Sequence, residues 1–550
     1  MKPDILRKPC NLFRNSIVSF LVIFILLGSI FASGCISGST SSVEAPESAG
    51  NQSDVTTSTS AVKDTLIIGD AFSLNDLDPA NSANSLWNWR VGECLVEVDP
   101  DGSLSPGLAK SWENVNGTSW IFHLREDVKF HDGKKMTAYD VKYSLDRSMN
   151  RSASNVVTLA IKQCNVIDEY TVELVTENTD ASIPGRMSGP RAIIYSNTSV
   201  TDEKGVITKL VTTGPFKIIS RDAATDKLTL DRFDEYYNGT GRLAHVIITF
   251  NMANENSREM AIENGDVDIT VEPSIASTSR LKKNSDLNVY VYDWHGQYML
   301  KFGNLTRAPY DDARVRKALA YALDRENIVN SILLDRGIVN KGNGVPSVAK
   351  WCNSGVTGYS YNVSKAKELL KEAGWTDTDG DGIVDKDGRA FKINFYTSTD
   401  NPAQTVMAPA IQSQLLNIGI GSDIQVLDYS AINAHTQDWG FLQLTYTVPL
   451  IVNDPSYFLE NNFKTGGSSN IMNYSNQSLD KLLKEARSEL NETRRYELYR
   501  QAQKIVTDDD CVHIYFASPR YCLITRSDLK GYVPYVVTHN WRLNKDMYFE

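Results

Sequence analysis

At 550 residues the chain exceeds what one hydrophobic core ordinarily holds, so two or three domains are expected. A hydrophobic share of 41% and a charged share of 22% exclude a disordered chain and a multi-span membrane protein. The formal net charge of −11, with no basic tract, excludes a nucleic-acid binder and leaves solubility as the simplest role of the charge.

The first 34 residues have three parts. Lys2, Arg7, Lys8 and Arg14 come first, an apolar run follows over 17–30, and Ala32-Ser33-Gly34 precede Cys35. That layout predicts a secretory signal peptide over 1–34. A cysteine directly after small residues resembles a lipoprotein processing site, which implies a lipid on Cys35 and a tether to the outer face of the membrane. An uncleaved anchor and plain secretion are the alternatives, and each places the body outside the cell. Residues 35–63 are a Ser/Thr-rich linker that cannot bury a core. Asn-x-Ser/Thr sequons at Asn116, Asn150, Asn238, Asn304, Asn473 and Asn491 would permit surface glycosylation of an external protein.

The folded body begins at Asp64. A short strand is predicted over 65–69, a loop over 75–81 (NDLDPAN), and an aromatic-rich stretch over 86–98 leading to a strand. Trp120, Phe122 and Leu124 alternate onto one face of a strand. Asp132-Gly133 is a turn signal, and Thr137 is a helix N-cap candidate for 138–147. Further strands are predicted at 166–174, FKIIS, KLTLDRF, 245–250 and 267–271. Helices are predicted at 257–264, 309–332, 364–373, 405–418, 479–490 and 492–506, with Gly265, Gly374 and Gly419 as terminators. VHIYFASPRY, between Cys511 and Cys522, predicts a hairpin that brings those two thiols face to face as a candidate disulfide. Interleaved strands and helices argue an α/β fold with partly parallel sheets.

Residues 105–147 read SPGLAKSWENVNGTSWIFHLREDVKFHDGKKMTAYDVKYSLDR. Further blocks follow in order: TTGPFKI (212–218), LDRFDEYYNG (230–239), SREMAIENGDVDI (257–269), APYDDARVRKALAYALDRENIV (308–329), AKELLKEAGW (366–375), IQSQLLNIGI (411–420), NDPSYFL (453–459) and YSNQSLDKLL (474–483). Together they resemble the extracellular solute-binding proteins of peptide and nickel ABC importers (family 5), over about 64–544. The resemblance implies an α/β, type II periplasmic-binding-protein-like clam of two lobes, with an extra domain inserted in the first. Residues 64–98, 211–295 and 510–550 would form lobe I, 99–210 the inserted domain, and 296–509 lobe II. A ligand, peptide or nickel-type chelate, would be engulfed between the lobes by hinge closure and handed to an ABC permease and ATPase complex. The expected protein is a monomer, lipid-anchored on the extracellular face, and not an enzyme. A sensor that signals to a membrane partner without transport is the alternative.

No GxSxG, HExxH, Walker A or GxGxxG pattern occurs, and the seven histidines are scattered with no i,i+4 pair. No resident cofactor or local metal cage is therefore expected. Asp377, Asp379, Asp381 and Asp385, with Gly382 at the sixth position, resemble the start of a calcium loop. Gly388 stands where the bidentate Glu belongs, so a plain turn is favoured over a calcium ion. Ligand contacts follow from the resemblance. Peptide-binding members carry an acid four residues before the proline of the NDP motif, to hold the ligand's amino group, and that position is Ile451 here. Asp454 is the alternative acid. Nickel-type members resemble this chain at Thr445-Tyr446, Pro449 and Asp454-Pro455, but their histidine is Ser456 here. Gly189-Pro190-Arg191 matches an arginine that meets ligand carboxylates, a task suited to its planar fork. Trp87 and Trp89, in the loop that faces the ligand in this family, and Tyr298 and Tyr446 are the aromatic candidates, with Trp439 weaker.

Overall fold

One strand organises the molecule. His513–Arg526 runs for 14 residues and is buried along almost its whole length. Its C-terminal half pairs antiparallel with Ile269–Val271 and Leu287–Asp293, and its N-terminal half pairs with Gln297–Phe302. It is thereby shared by two half-sheets. One continues through Thr65–Gly69, His245–Thr249, Lys227–Arg232 and Phe216–Asp222, and the other through Phe441–Thr447, Lys392–Ser398 and Gly421–Leu427. Parallel pairs at Thr65–Gly69 and Lys392–Ser398 stand among antiparallel ones, with helices packed on the sheet, as the α/β reading requires.

The computed structural model describes residues 63–72, 74–250, 252–450, 453–536 and 541–550. The predicted signal segment, Cys35, nearly all of the linker, and Ile451 lie outside them. Among the described residues no helix is long and apolar enough to cross a membrane.

Two large hydrophobic cores lie on either side of the shared strand. Leu66, Phe122, Leu145, Val246, Leu523 and Trp541 belong to the first. Leu300, Leu319, Phe395, Leu442, Leu483 and Phe516 belong to the second. Residues 99–210 have their own four-stranded sheet, in the order Ala109–Asn114, Ser119–Leu124, Thr171–Val175, Gln163–Asp168. They share the first core rather than building one of their own. The chain crosses between the cores later than residue 510, because Cys511 to Ala517 pack in the second core and Tyr521 and Leu523 in the first.

Local expectations fare unevenly. Helices Ala138–Arg151, Glu255–Asn264, Val363–Glu372, Pro402–Leu416 and Gln477–Ser488 form where periodicity placed them. Residues 166–174 are a hairpin, Gln163–Asp168 against Thr171–Val175. The predicted loop around Trp87 is a helix, Pro79–Asn88, begun by Asp78, whose side chain accepts from the Ala80 amide. The hairpin predicted at VHIYFASPRY is the continuous long strand. Its two flanking cysteines are free thiols. Eleven residues of extended chain hold them roughly 30 Å apart, far beyond disulfide reach.

Candidate functional site

The seam between the cores is built where the chain passes from Leu287–Asp293 through Trp294-His295-Gly296 to Gln297–Phe302. Glycine is required at 296, since a Cβ there would stand 2.7 Å from the Trp294 ring and 2.8 Å from Pro519. Alternation along YVYDW sets aromatics on this seam. Tyr292 and Trp294 lie 5.7 and 5.9 Å from the Tyr521 ring, and Trp294 lies 6.3 Å from Tyr446. The Tyr292 and Tyr532 hydroxyls are hydrogen-bonded at 3.0 Å. Tyr446 is half-buried and packs against both cores. Tyr298, opposite Tyr446 in register, is buried and stacks on Phe516 at 6.4 Å.

Glu272 stands beside these rings with a side chain 38% exposed. Its carboxylate accepts from the Cys522 amide at 2.9 Å and from Arg336 Nη2 at 2.5 Å. Burial first, and the Glu272 charge second, push up the hydroxyls of Tyr298, Tyr446 and Tyr521. His295 is buried, which lowers its pKa to about 4 and leaves a neutral imidazole at pH 7. Composition and motif offered no signal for Glu272, Tyr292, Trp294 or Tyr521; only the strand alternation could have found the aromatics.

Arg191 lies in the short turn Pro190–Ala192, where its Nη1 donates to the Ala80 carbonyl at 2.9 Å. Burial lowers its pKa, and Tyr457 of the facing helix Pro455–Phe463 is the other group acting on it. Among the described residues no carboxylate forms an ion pair with it. It is thus a partly buried guanidinium between the lobes with no counter-charge of its own.

Other candidates have structural partners. Trp89 is 1% exposed, its indole donates to Asp70 Oδ2 at 3.3 Å, and its ring lies 5.0 Å from Phe250. Trp87 is covered by the Arg542 guanidinium, 3.8 Å from the ring centre. The helix in place of the expected loop turns both rings into the first core. Asp454 is 3% exposed, caps Pro455–Phe463 through the Ser456 amide at 2.8 Å, and pairs with Arg495. Its charge is already neutralised. Trp439 lies under Arg389, whose guanidinium is 3.7 Å from its ring, away from the seam.

At the acidic loop, carboxylate oxygens of Asp377, Asp379 and Asp385 come within 4.8 Å of one another, without Asp381. Asp377 accepts from the Gly380 and Gly382 amides at 2.7 and 3.0 Å, and Asp385 from Thr378 at 2.8–2.9 Å. These bonds close the turn from within.

The comparisons agree with this architecture. The profile of the bacterial extracellular solute-binding proteins, family 5 Middle, matches residues 103–470. The oligopeptide-binding protein AppA of Bacillus subtilis is 27% identical over 540 residues, 94% of this chain and 96% of AppA. The nickel-binding protein NikA of Staphylococcus aureus is 23% identical over 80% of this chain and 86% of its own. Among solved structures, NikA of Brucella suis in complex with Fe(III)-EDTA has a TM-score of 0.78 at 20% identity. It covers 88% of this chain and 100% of its own. AppA of Bacillus subtilis with a nonapeptide has a TM-score of 0.72 at 22% identity, covering 89% and 98%. With a matched region spanning more than half the sequence, on a two-core α/β fold with an aromatic seam, the chain belongs to the bacterial extracellular solute-binding proteins of family 5.

Proposed function

We propose that this protein is the substrate-binding receptor of an ABC importer and closes its two lobes on a carboxylate-bearing ligand, a peptide or a nickel-type metal chelate. The observation that carries the ligand class is Arg191, a guanidinium between the lobes without a carboxylate of its own. A ligand carboxylate would supply the missing charge in bidentate geometry. Tyr446 and Trp294 would cover the ligand's apolar surface. An ordinary peptide also needs an acid for its amino group. Asp454 is buried and engaged by Arg495, whereas Glu272, though paired with Arg336, keeps a partly exposed carboxylate at the seam that a ligand amine could share. In this reading the protein performs no bond chemistry, works as a monomer tethered through Cys35 outside the cell, and delivers its ligand to a membrane permease.

Melting temperature tests the reading, with mixed di- to hexapeptides as one ligand set and Ni²⁺ with histidine or a polycarboxylate as the other. Ligand at a hundred times its Kd adds roughly 2.7 kcal/mol, a shift of a few degrees. Arg191→Ala should cost about 2 kcal/mol of binding, a roughly thirtyfold weaker Kd. A shift with neither set, or full binding by Arg191→Ala, would sink the proposal. Ligand-dependent signalling without import would favour the sensor.

A further inference from the structure

Lys301, Gln443 and His513 form one row across three strands of the second half-sheet. In register, Lys301 stands opposite Gln443 on one neighbour and opposite His513 on the other. Opposed side chains share a face, with Cβ atoms about 5 Å apart. All three are more than nine-tenths buried, with exposures of 8%, 3% and 3%. Among the described residues Lys301 has no ion pair or hydrogen bond, and burial alone acts on its amine. The Gln443 Nε2 and both His513 ring nitrogens are buried without a protein partner. Aromatic rings wall the row, Phe463 at 5.3 Å and Tyr515 at 6.0 Å from the imidazole.

Burial lowers the Lys301 amine to about 8 and drives His513 well below its ordinary value. At pH 7 the lysine is therefore an ammonium and the imidazole is neutral. A buried ammonium without a counter-charge is costly. The row offers hydrogens in excess: three from the ammonium, two from the amide and one from the ring. A cluster of donors around one positive charge selects an acceptor that is small, anionic and asks for no donor group in return.

We infer that Lys301, Gln443 and His513 form a binding site for a small inorganic anion of halide size. Chloride is the candidate chosen for test. The site lies within the second lobe, on the opposite sheet face from Tyr298, and stands apart from the ligand reading. An anion there would bind three strands of that half-sheet to one another.

Two measurements test it on the purified protein. Crystals soaked in sodium bromide should give an anomalous peak within hydrogen-bonding reach of Lys301 Nζ. The melting temperature should rise by a few degrees as chloride replaces gluconate at constant ionic strength. Lys301→Met, of nearly the same volume, should lose both effects, and Gln443→Leu serves if that variant does not fold. The inference is overturned if no bromide peak appears at the row or if the chloride dependence survives the substitution. It is equally overturned if Lys301→Met melts higher in every salt while the wild type ignores chloride, since the lysine would then be neutral.

Discussion

Glu97 shows how much one side chain can depend on its neighbours. Arg90 Nη1 lies 2.7 Å from it, and Arg542 binds it from the other side. Burial alone would raise its carboxyl, but the charges of Arg542 and Arg90 overcome burial and hold it at about 2, against an ordinary 4.5. A carboxyl with a lower pKa in the folded state contributes stability that is complete above its unfolded pKa. That contribution is lost as the pH falls toward the folded value. The window runs from pH 4.5 down to about 2, and the amount is about 3 kcal/mol. Glu97→Gln should therefore lower stability at neutral pH and flatten the acid limb of the melting curve; an unchanged limb would contradict the assignment. Asp454 has a comparable setting as helix cap and partner of buried Arg495. Asp454→Ala should cost about 3–5 kcal/mol in urea unfolding by stranding that guanidinium, and Asp454→Asn less because the cap remains.

At the scale of elements, periodicity served amphipathic helices well. Ala138–Arg151 starts where Thr137 signalled it, with the Asp140 carboxylate accepting from the Thr137 amide at 3.0 Å. It served buried strands poorly. His513–Arg526 carries hydrophobic residues on both faces, so no alternation marks it, and Pro519 in its middle imitates a turn. The continuous strand separates Cys511 from Cys522 and buries both thiols, which pushes their pKa values to about 11 and about 12. A thiol reagent should find at most Cys352 reactive in the native protein, the partly exposed cysteine among those described, and all five body cysteines after denaturation. Protection of two thiols after denaturation without reductant would restore the disulfide.

At the scale of the whole molecule, the lobes touch away from the shared strand as well. Arg487 donates through Nε and Nη2 to Asp180 at 2.9 and 2.8 Å, and its carbonyl accepts from the Ala181 amide at 2.9 Å. Asn453 Nδ2 reaches Ser188 Oγ at 2.9 Å beside them. Asp180 is buried, and although burial raises its carboxyl, Arg186 and Arg487 bring it below the ordinary range. This clasp joins residues 180–188 of the first lobe to 453–495 of the second. Arg487 is partly exposed but Asp180 is buried, and Arg186 stays beside that carboxylate, so loss of Arg487 should cost about 1–3 kcal/mol. Arg487→Met is expected to enlarge the ligand-free radius of gyration in X-ray scattering and weaken ligand several-fold. An unchanged radius would mean that the clasp does not bias closure.

The sequence by itself determined the family, the α/β class and most amphipathic helices. These rest on ordered local blocks, on 3.6-residue periodicity and on capping residues, all carried by neighbours along the chain. It also singled out Arg191, whose residue type and local motif advertise a carboxylate partner. Tertiary structure alone decided the rest. It assigned Trp89 to the core, gave Asp454 to Arg495, placed the lobe crossing inside one strand, and assembled Tyr292, Tyr446 and Tyr521 from three strands with Trp294 from the link that follows the first of them. Counter-charge, burial and the meeting of distant strands are properties of pairs of residues far apart in sequence, and no local pattern encodes which pairs will meet.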